Sequence, residues 1–330
     1  MDITIIVATY NQESTIGRTL DSILCQTTSA SYEILIVDDC STDNTGIVCS
    51  RYAAENPNRV RYIRRQSNMG LVANYIDAIQ QARGRYIADC AGDDFWIDST
   101  KLQSQFDILE NNPNVTLVHT AWQCYNPVSG TISRPPFRPE DYPQYFSYLV
   151  PGNRLITPLV AHKLNPLVHL CTAMYRRDIV IKAIDKHPEL FNSPWLTCED
   201  LQIATALASE GSFCYLPIIT LNYTVSDNSI SKPTLPDKAF RYHAGVWRLV
   251  RQLQKIHNIP QKDLDSFYRK QASFLTKLMF NTNDPLLRRQ TKELLGKRFR
   301  HTDANILLSS NRLLWNISLK TKNALKNFLQ

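Results

Sequence analysis

A chain of 330 residues with 43% hydrophobic and 20% charged residues can bury a full core, which excludes a disordered polymer and leaves room for a large domain plus an appendage. No apolar run approaches the ~20 residues of a membrane-spanning helix, and Met1 leads straight into the strand-like DITIIVA without a basic leader, so the protein is expected in the cytoplasm. Eight cysteines, Cys25, Cys90 and Cys198 among them, are scattered and form no CxxC pair with histidine ligands beside it, which reads as reduced, mostly buried thiols and argues against zinc.

The first half alternates strand and helix patterns. ITIIVA (3–8) predicts a strand, Ser14 to Cys25 a helix, EILIVDD (33–39) a strand and Asp43 to Ala54 a helix. VRYIRR (60–65), a helix over Leu71 to Ala82, RYIADCA (85–91) and a helix over Ser99 to Glu110 repeat the pattern, and VTLVHTA (115–121) adds another strand. Such spacing implies parallel strands joined by crossover helices. From Tyr125 to Pro166 there are eight prolines, several aromatics and no clear period, so a long loop or flap is expected there. LQIATALASEG then reads as a helix with a glycine stop, and FCYLPIITLNYTV as a strand. Beyond about residue 231 the chain is helical and increasingly basic, which predicts a catalytic domain over 1–230 and a helical region over 231–330.

Two of the predicted strands end in adjacent acids, Asp38–Asp39 and Asp93–Asp94. Neighbouring carboxylates repel and lose hydration when buried, so two such pairs point to something positive between them, a hard divalent cation carrying phosphate oxygens being the obvious candidate. In open α/β sheets the ligand crevice lies outside the carboxyl ends of the strands, so both pairs should belong to one site. The alternative is helix capping, because a helical pattern follows each pair. The ten glycines are too dispersed for GxGxxG, and GK[ST] and GxSxG are absent, which removes the common dinucleotide, phosphate-loop and serine-nucleophile sites.

The net charge of +7 is concentrated at one end. From Lys297 onward stand Lys297, Arg298, Arg300, Arg312, Lys320, Lys322 and Lys326 against the single acid Asp303. At about 100° per residue, Ile306, Leu313, Ile317, Ala324 and Phe328 share a face opposite Arg312, Lys320, Lys322 and Lys326. A helix of that form over 304–329 suits an anionic membrane surface rather than nucleic acid, which is not an expected partner. A surface helix docked on its own domain has the same pattern.

Four stretches in order, ATYNQESTIGRTLDSILCQT (8–27), EILIVDDCSTDNT (33–45), NMGLVANYIDAIQQARGRYIADCAGDDFW (68–96) and TCEDLQIATALASEG (197–211), resemble the successive signatures of the family 2 glycosyltransferases. The resemblance implies a GT-A fold: a doubly wound, mostly parallel α/β sheet, here with a helical C-terminal extension. It also implies inverting transfer of a sugar from a nucleotide diphosphate donor to an acceptor hydroxyl, usually with Mn²⁺ or Mg²⁺. Position by position, Ala8, Thr9, Tyr10 and Asn11 match the strand end along the nucleotide, Tyr10 stacking on the base, and Asp39 matches the residue that accepts the base imide hydrogen. Asp94 matches the metal ligand, Asp93 its partner near ribose or metal, and Asp200 the general base, with Glu199 able to exchange roles with it. His169 to Arg176 resembles the segment beside the acceptor. Two positions depart from the pattern: Ala91 replaces a frequent third acid, and Tyr223, Thr224 and Ser226 replace a Tyr-Arg-His run, so that either Lys232 or Arg176 meets the diphosphate or the nucleotide is held less tightly.

These residues predict a cytoplasmic, peripherally membrane-associated glycosyltransferase that takes a nucleotide-sugar donor, expected to be a UDP-sugar, and a glycan or lipid-linked acceptor in cell-surface polysaccharide or glycolipid assembly. The alternatives are a nucleotidyltransferase, which usually carries a glycine-rich basic loop that Asn11 to Gly17 does not supply, and a catalytically silent sugar-nucleotide-binding module.

Overall fold

A computed structural model describes residues 1–164, 166–225, 235–281 and 284–295. Lys232 and the cationic helix expected over 304–329 lie outside them. The chain divides into two compact units, Met1–Asp227 and Asn228–Gln330.

In the first unit β1 (Ile3–Thr9), α1 (Ile16–Leu24), β2 (Tyr32–Asp38), α2 (Thr45–Glu55), β3 (Val60–Arg64), α3 (Leu71–Gln81) and β4 (Tyr86–Asp89) follow the predicted alternation. β5 (Phe95–Trp96), α4 (Lys101–Asn111) and β6 (Val115–Tyr125) come next. The remainder is β7 (Ile132–Ser133), β8 (Val150–Pro151), α5 (Asn153–Val160), β9 (Met174–Arg176), α6 (Arg177–Lys186), α7 (Asp200–Glu210) and β10 (Ser212–Thr224). Among the described residues the strands form one sheet in the order β3-β2-β1-β4-β9-β6-β10-β5, with β7 on β6 and β8 on β10. Strands β3, β2, β1 and β4 pair in parallel, as do β6 and β10, while β9 runs antiparallel to β4 and β6. The sheet is therefore doubly wound and mostly parallel.

Central strands covered on both faces should be apolar throughout, and β2 is buried at every position. α1 shows why its sequence is helical here: Ile16, Leu20 and Ile23 recur at helical spacing and lie in the core. The one buried charge at the start of β2, Glu33, is matched on all sides. It accepts from the Thr4 hydroxyl (2.9 Å), the Arg83 N–H (3.0 Å) and the Arg61 guanidinium (3.2 and 3.3 Å). Burial alone would raise its carboxyl, yet Arg61 and Thr4 hold it below the usual value.

The expected flap contains an unforeseen helix. α5 carries Pro158 in its interior, which local preference disfavours, but Leu155, Pro158, Leu159 and Val160 are buried. Gly152, at its start, lies so close to α7 that a Cβ there would sit 2.1 Å from the Ala208 carbonyl oxygen, so tertiary packing outweighs the proline. β9 was equally hidden, because three residues are too short to show a period.

The second unit contains α8 (Pro236–Ile256), α9 (Gln261–Asn281) and α10 (Pro285–Leu295). Trp247 of α8 and Tyr268 of α9 stack edge to face at 4.8 Å, and Tyr268 donates to Gln254 at 2.9 Å. No described helix is long and apolar enough to cross a membrane.

Glycine contacts give two opposite expectations. At Gly84 a Cβ would lie 2.3 Å from the Thr4 nitrogen and 2.5 Å from the Ile3 carbonyl carbon. Gly84→Ala should therefore force β1 and β4 apart and destabilise by about 1–3 kcal/mol. At Gly17, inside α1, the nearest atom would be the Tyr52 hydroxyl at 3.6 Å, so Gly17→Ala should gain about 0.5–1 kcal/mol. Urea unfolding of both variants reads the two signs.

Candidate active site

In this strand order the chain leaves β1 toward β2 on one side and returns through β4 on the other, so the crevice at their carboxyl ends is the topological switch point. Backbone hydrogen bonds lace the loops there. Cys90 donates to the Ile6 carbonyl (3.1 Å), Gly92 to that of Ala8 (3.2 Å) and Asp39 to that of Thr9 (3.0 Å). Asn11 adopts a left-handed φ of 52°, which asparagine tolerates, and its side-chain oxygen accepts from the Thr42 N–H at 2.8 Å. Tyr10, between Thr9 and Asn11, is 46% exposed.

The two acids closing β2 differ. Asp38 is fully buried and structural, accepting from Ser41 Oγ (2.5 Å) and the Tyr62 hydroxyl (2.9 Å). Asp39 accepts from the N–H groups of Met69 (2.7 Å) and Gly70 (2.9 Å), which fixes the loop before α3 and leaves part of each oxygen's accepting capacity unused. Neither acid caps the helix that follows the pair, since the start of α2 at Asn44 has no side-chain capping hydrogen bond.

Asp93 and Asp94 occupy a tight turn. At Gly92 a Cβ would meet Gln12 Oε1 at 2.3 Å and Thr9 Oγ1 at 2.9 Å, so a larger residue would displace these side chains from the turn. Asp94 is 1% exposed and accepts from the Thr224 N–H at 2.8 Å, while Asp93 is partly exposed. The Thr224 hydroxyl donates to the Asp93 carbonyl at 2.5 Å, so the end of β10 is stitched to the turn. Burial raises both carboxyls, and Asp93 beside Asp94 raises the latter further.

Glu199 and Asp200 start α7. Burial pushes both carboxyls up, and each Glu199 oxygen also feels Asp200; Glu199 Oε2 has no hydrogen-bond partner among the described residues. Asp200 accepts from its neighbour's Leu201 N–H at 3.0 Å and from the Cys198 thiol. Asp89, which the sequence reading left as an ordinary strand residue, joins the two acid groups electrostatically. It is raised to about 7 by burial, with Asp200 adding to the rise, and its own charge acts on both Asp94 and Glu199. Around it lie the hydrogen-bonded hydroxyls of Tyr75 and Tyr175 (3.0 Å apart) and the buried Lys101, whose ammonium is lowered to about 7 by burial and donates to Gln105 at 2.8 Å.

Several assignments change. Arg176 does not reach the crevice: its guanidinium binds the carbonyls of Leu109 (2.7 Å), Asn112 (3.2 Å) and Val115 (2.8 Å), because β9 runs antiparallel and places Arg176 beside Tyr86 at the opposite end of β4. The cation actually present at the acid turn is Arg18 of α1. Its guanidinium lies 4.1 Å from the Phe95 ring centre and 5.0 Å from that of Tyr125, and donates to the Asp93 carbonyl and the Thr224 hydroxyl, both at 3.3 Å. His169 also enters the crevice, its ring between Trp122 and Tyr223, and burial pushes its imidazole down to about 4, so it is neutral.

A crevice of acids and neutral donors at the switch point of a doubly wound sheet defines the GT-A class of nucleotide-sugar-binding folds. Comparison with known proteins agrees. The chain aligns over 93% of its length with the crystal structure of S. aureus TarS residues 1–349 in complex with UDP-GlcNAc, covering 83% of that chain with a TM-score of 0.63 at 19% identity. It also aligns over 95% of its length, at 17% identity and a TM-score of 0.50, with the mannosyltransferase PcManGT from Pyrobaculum calidifontis in complex with GDP-Man and Mn²⁺, covering 87% of that chain. Residues 4–183 match the profile of glycosyl transferase family 2, and the chain belongs to that family. Among curated relatives it is 31% identical over 124 residues, 38% of this chain, to the Escherichia coli UDP-Glc:alpha-D-GlcNAc-diphosphoundecaprenol beta-1,3-glucosyltransferase WfgD. Such matches span well under two thirds of the relatives' own length, 47% for WfgD and 34% for a relative at 41% identity.

Arg18 supplies a prediction of its own. Arg18→Ala removes two hydrogen bonds to the acid turn and β10 and a cation stacked on two rings, which should cost about 1–3 kcal/mol. Arg18→Lys keeps the charge but not the planar fork, so it should recover less than half of that loss in a thermal unfolding series.

Proposed function

We propose that the protein is an inverting, metal-dependent glycosyltransferase that moves a sugar from a UDP-sugar to an acceptor hydroxyl on a glycan or lipid-linked intermediate of cell-surface polysaccharide or glycolipid assembly. The observation that carries this reading is the convergence on Asp89 of the Asp93–Asp94 turn and the Glu199–Asp200 helix start, at the switch point between β1 and β4. Nucleotidyl transfer is less well supported, because the loop from Asn11 carries no glycine-rich basic run. TarS with UDP-GlcNAc and the lipid-linked substrate in the name of WfgD favour the same donor and acceptor classes.

In this reading Tyr10 stacks on the base, Ala8, Thr9 and Asn11 line the nucleotide, and the remaining accepting capacity of Asp39 meets the base imide. Asp94 and Asp93 hold Mn²⁺ or Mg²⁺, which would neutralise the diphosphate as it leaves. The residues fit such an ion: Asp94 forms no ion pair among the described residues, and its raised pKa marks a carboxylate in want of a counter-charge. Asp200 removes the proton of the acceptor hydroxyl as that oxygen attacks the anomeric carbon opposite the diphosphate, a single displacement that inverts configuration. Glu199 stands beside it as a second acceptor. The basic segment from Lys297 onward, lying outside the described residues, would hold the cytoplasmic enzyme at the anionic inner face of the membrane where a lipid-linked acceptor is found.

Two tests separate binding from chemistry. Asp94→Asn should lower transfer on the order of 10²-fold or more, and excess chelator should do the same to the unmodified enzyme. Asp200→Asn should abolish transfer while calorimetry still detects the nucleotide diphosphate; if Glu199→Gln is the dead variant instead, the roles are exchanged.

The pH profile follows from the same groups. A base must be ionised, and burial raises both carboxyls, so protonation persists to higher pH than for an ordinary carboxylate. The acid limb of kcat/KM should therefore fall above the usual Asp and Glu range, activity rising with pH through the raised pKa of the pair. A limb within the ordinary carboxylate range would count against either residue as the base.

A further inference from the structure

Beside Asp94 stands a group of side chains that the acid pairs do not account for. A ring nitrogen of His169, the Cys171 sulfur and an Asp94 carboxylate oxygen all lie within 4.8 Å of one another. The histidine is held in place, its ring centre 5.3 Å from that of Trp122 and 5.0 Å from that of Tyr223. Its Nδ1 is buried and has no hydrogen-bond partner among the described residues. A buried ring nitrogen without a partner is costly, and an imidazole with a ring nitrogen beside a carboxylate and a thiol has a ready use as a ligand. Cys171 is equally fixed: its sulfur accepts from the Ala91 N–H at 3.3 Å, its carbonyl accepts from Trp96 Nε1 at 3.0 Å, and its thiol hydrogen-bonds the Asp94 carboxylate. A backbone N–H directed at sulfur is the supporting contact that a metal thiolate requires.

We infer that His169 and Cys171 join Asp94 as ligands of the bound cation, giving an oxygen, nitrogen and sulfur donor set that favours a first-row transition ion over Mg²⁺. The inference rests on the reading of Asp94 as the cation's carboxylate ligand. Mg²⁺ takes oxygen donors in strict octahedral geometry, whereas imidazole and thiolate suit Co²⁺, Fe²⁺ and Zn²⁺. As the metal–sulfur bond forms, the Cys171 S–H bond breaks and its proton passes to solvent, so uptake releases one proton per ion and weakens as pH falls. The thiol hydrogen bond to Asp94 is exchanged for the shared ion.

The full-length protein, stripped by chelator and kept anaerobic, is titrated with Co²⁺ and separately with Mg²⁺. The expected result is a near-ultraviolet thiolate-to-cobalt charge-transfer band at one equivalent, absent in Cys171→Ser, with Co²⁺ bound at least tenfold more tightly than Mg²⁺. His169→Ala should weaken Co²⁺ binding by at least the roughly 10–100-fold that loss of a mere supporting group costs, leaving Mg²⁺ affinity unchanged. Because the band is read on the unmodified protein, the test survives a variant that fails to fold. A cobalt complex without the band, whose affinity Asp94→Asn abolishes but Cys171→Ser and His169→Ala leave intact, overturns this inference and retains the cation reading of Asp94. Co²⁺ binding that Asp94→Asn does not weaken overturns both.

Discussion

Repulsion among buried carboxylates is the constraint on which the rest of the structure depends. Asp89, Asp93, Asp94, Glu199 and Asp200 arrive from two distant parts of the chain, and each carboxyl is raised chiefly by burial. Isolated charges in such surroundings are expensive, so each must be protonated, paired or matched by an ion. The charge of Lys101 acts on Asp89, and its own value, lowered by burial, shows that burial works against both groups. Glu33 illustrates the contrast: an equally buried carboxylate surrounded by donors is held below its usual value. The fold can thus satisfy a buried acid when it needs to, and the acids left unsatisfied cluster at the crevice, as functional groups commonly do.

Holding that cluster in place falls to neutral groups and one arginine rather than to salt bridges. Thr224 contacts Asp94 through its backbone and Asp93 through its hydroxyl, while the Thr19 hydroxyl donates to the Asp94 carbonyl at 2.6 Å. Arg18 spans the same turn and the same strand end. These contacts engage mainly the backbone of the turn and leave the carboxylates available, which an arginine paired directly to Asp94 would not. Thr224, at a position where the resemblance implied a departure from the family pattern, is thus a support of the acid turn.

The sequence made visible whatever is local. The strand end beside Asp39, the helix starts at Leu71 and Asp200, and the alternation through residue 121 depend on short-range periodicity and lie within a few residues of the predicted bounds, whereas β4 ends at Asp89 and leaves Asp93 and Asp94 on the turn beyond it. Illegible features required the third dimension. Pro158 hid α5 because only burial against α7 makes that helix stable. Asp89 looked like any strand residue until β4 set it between the two acid groups. Arg18 sits 75 positions from Asp93, and Arg176 went the other way because nothing in three residues of β9 declares an antiparallel direction. Cysteine spacing read as an argument against zinc for the same reason, since Cys171 and Asp94 are neighbours in space and not in sequence.

A cation at this crevice would change stability as well as reactivity. In its absence the acid turn is eased by protonation, with the Cys171 thiol hydrogen-bonded to Asp94. An ion that binds only the folded state adds RT ln(1 + [L]/Kd), about 2.7 kcal/mol at a hundredfold excess over Kd. It also removes the repulsion between Asp93 and Asp94 at its source and so lowers the pKa of both. The two effects are linked: protons that ease the cluster compete with the ion for the same oxygens. Acid should therefore weaken ion binding before it neutralises Glu33 of β2, which Arg61 and Thr4 hold below its usual pKa.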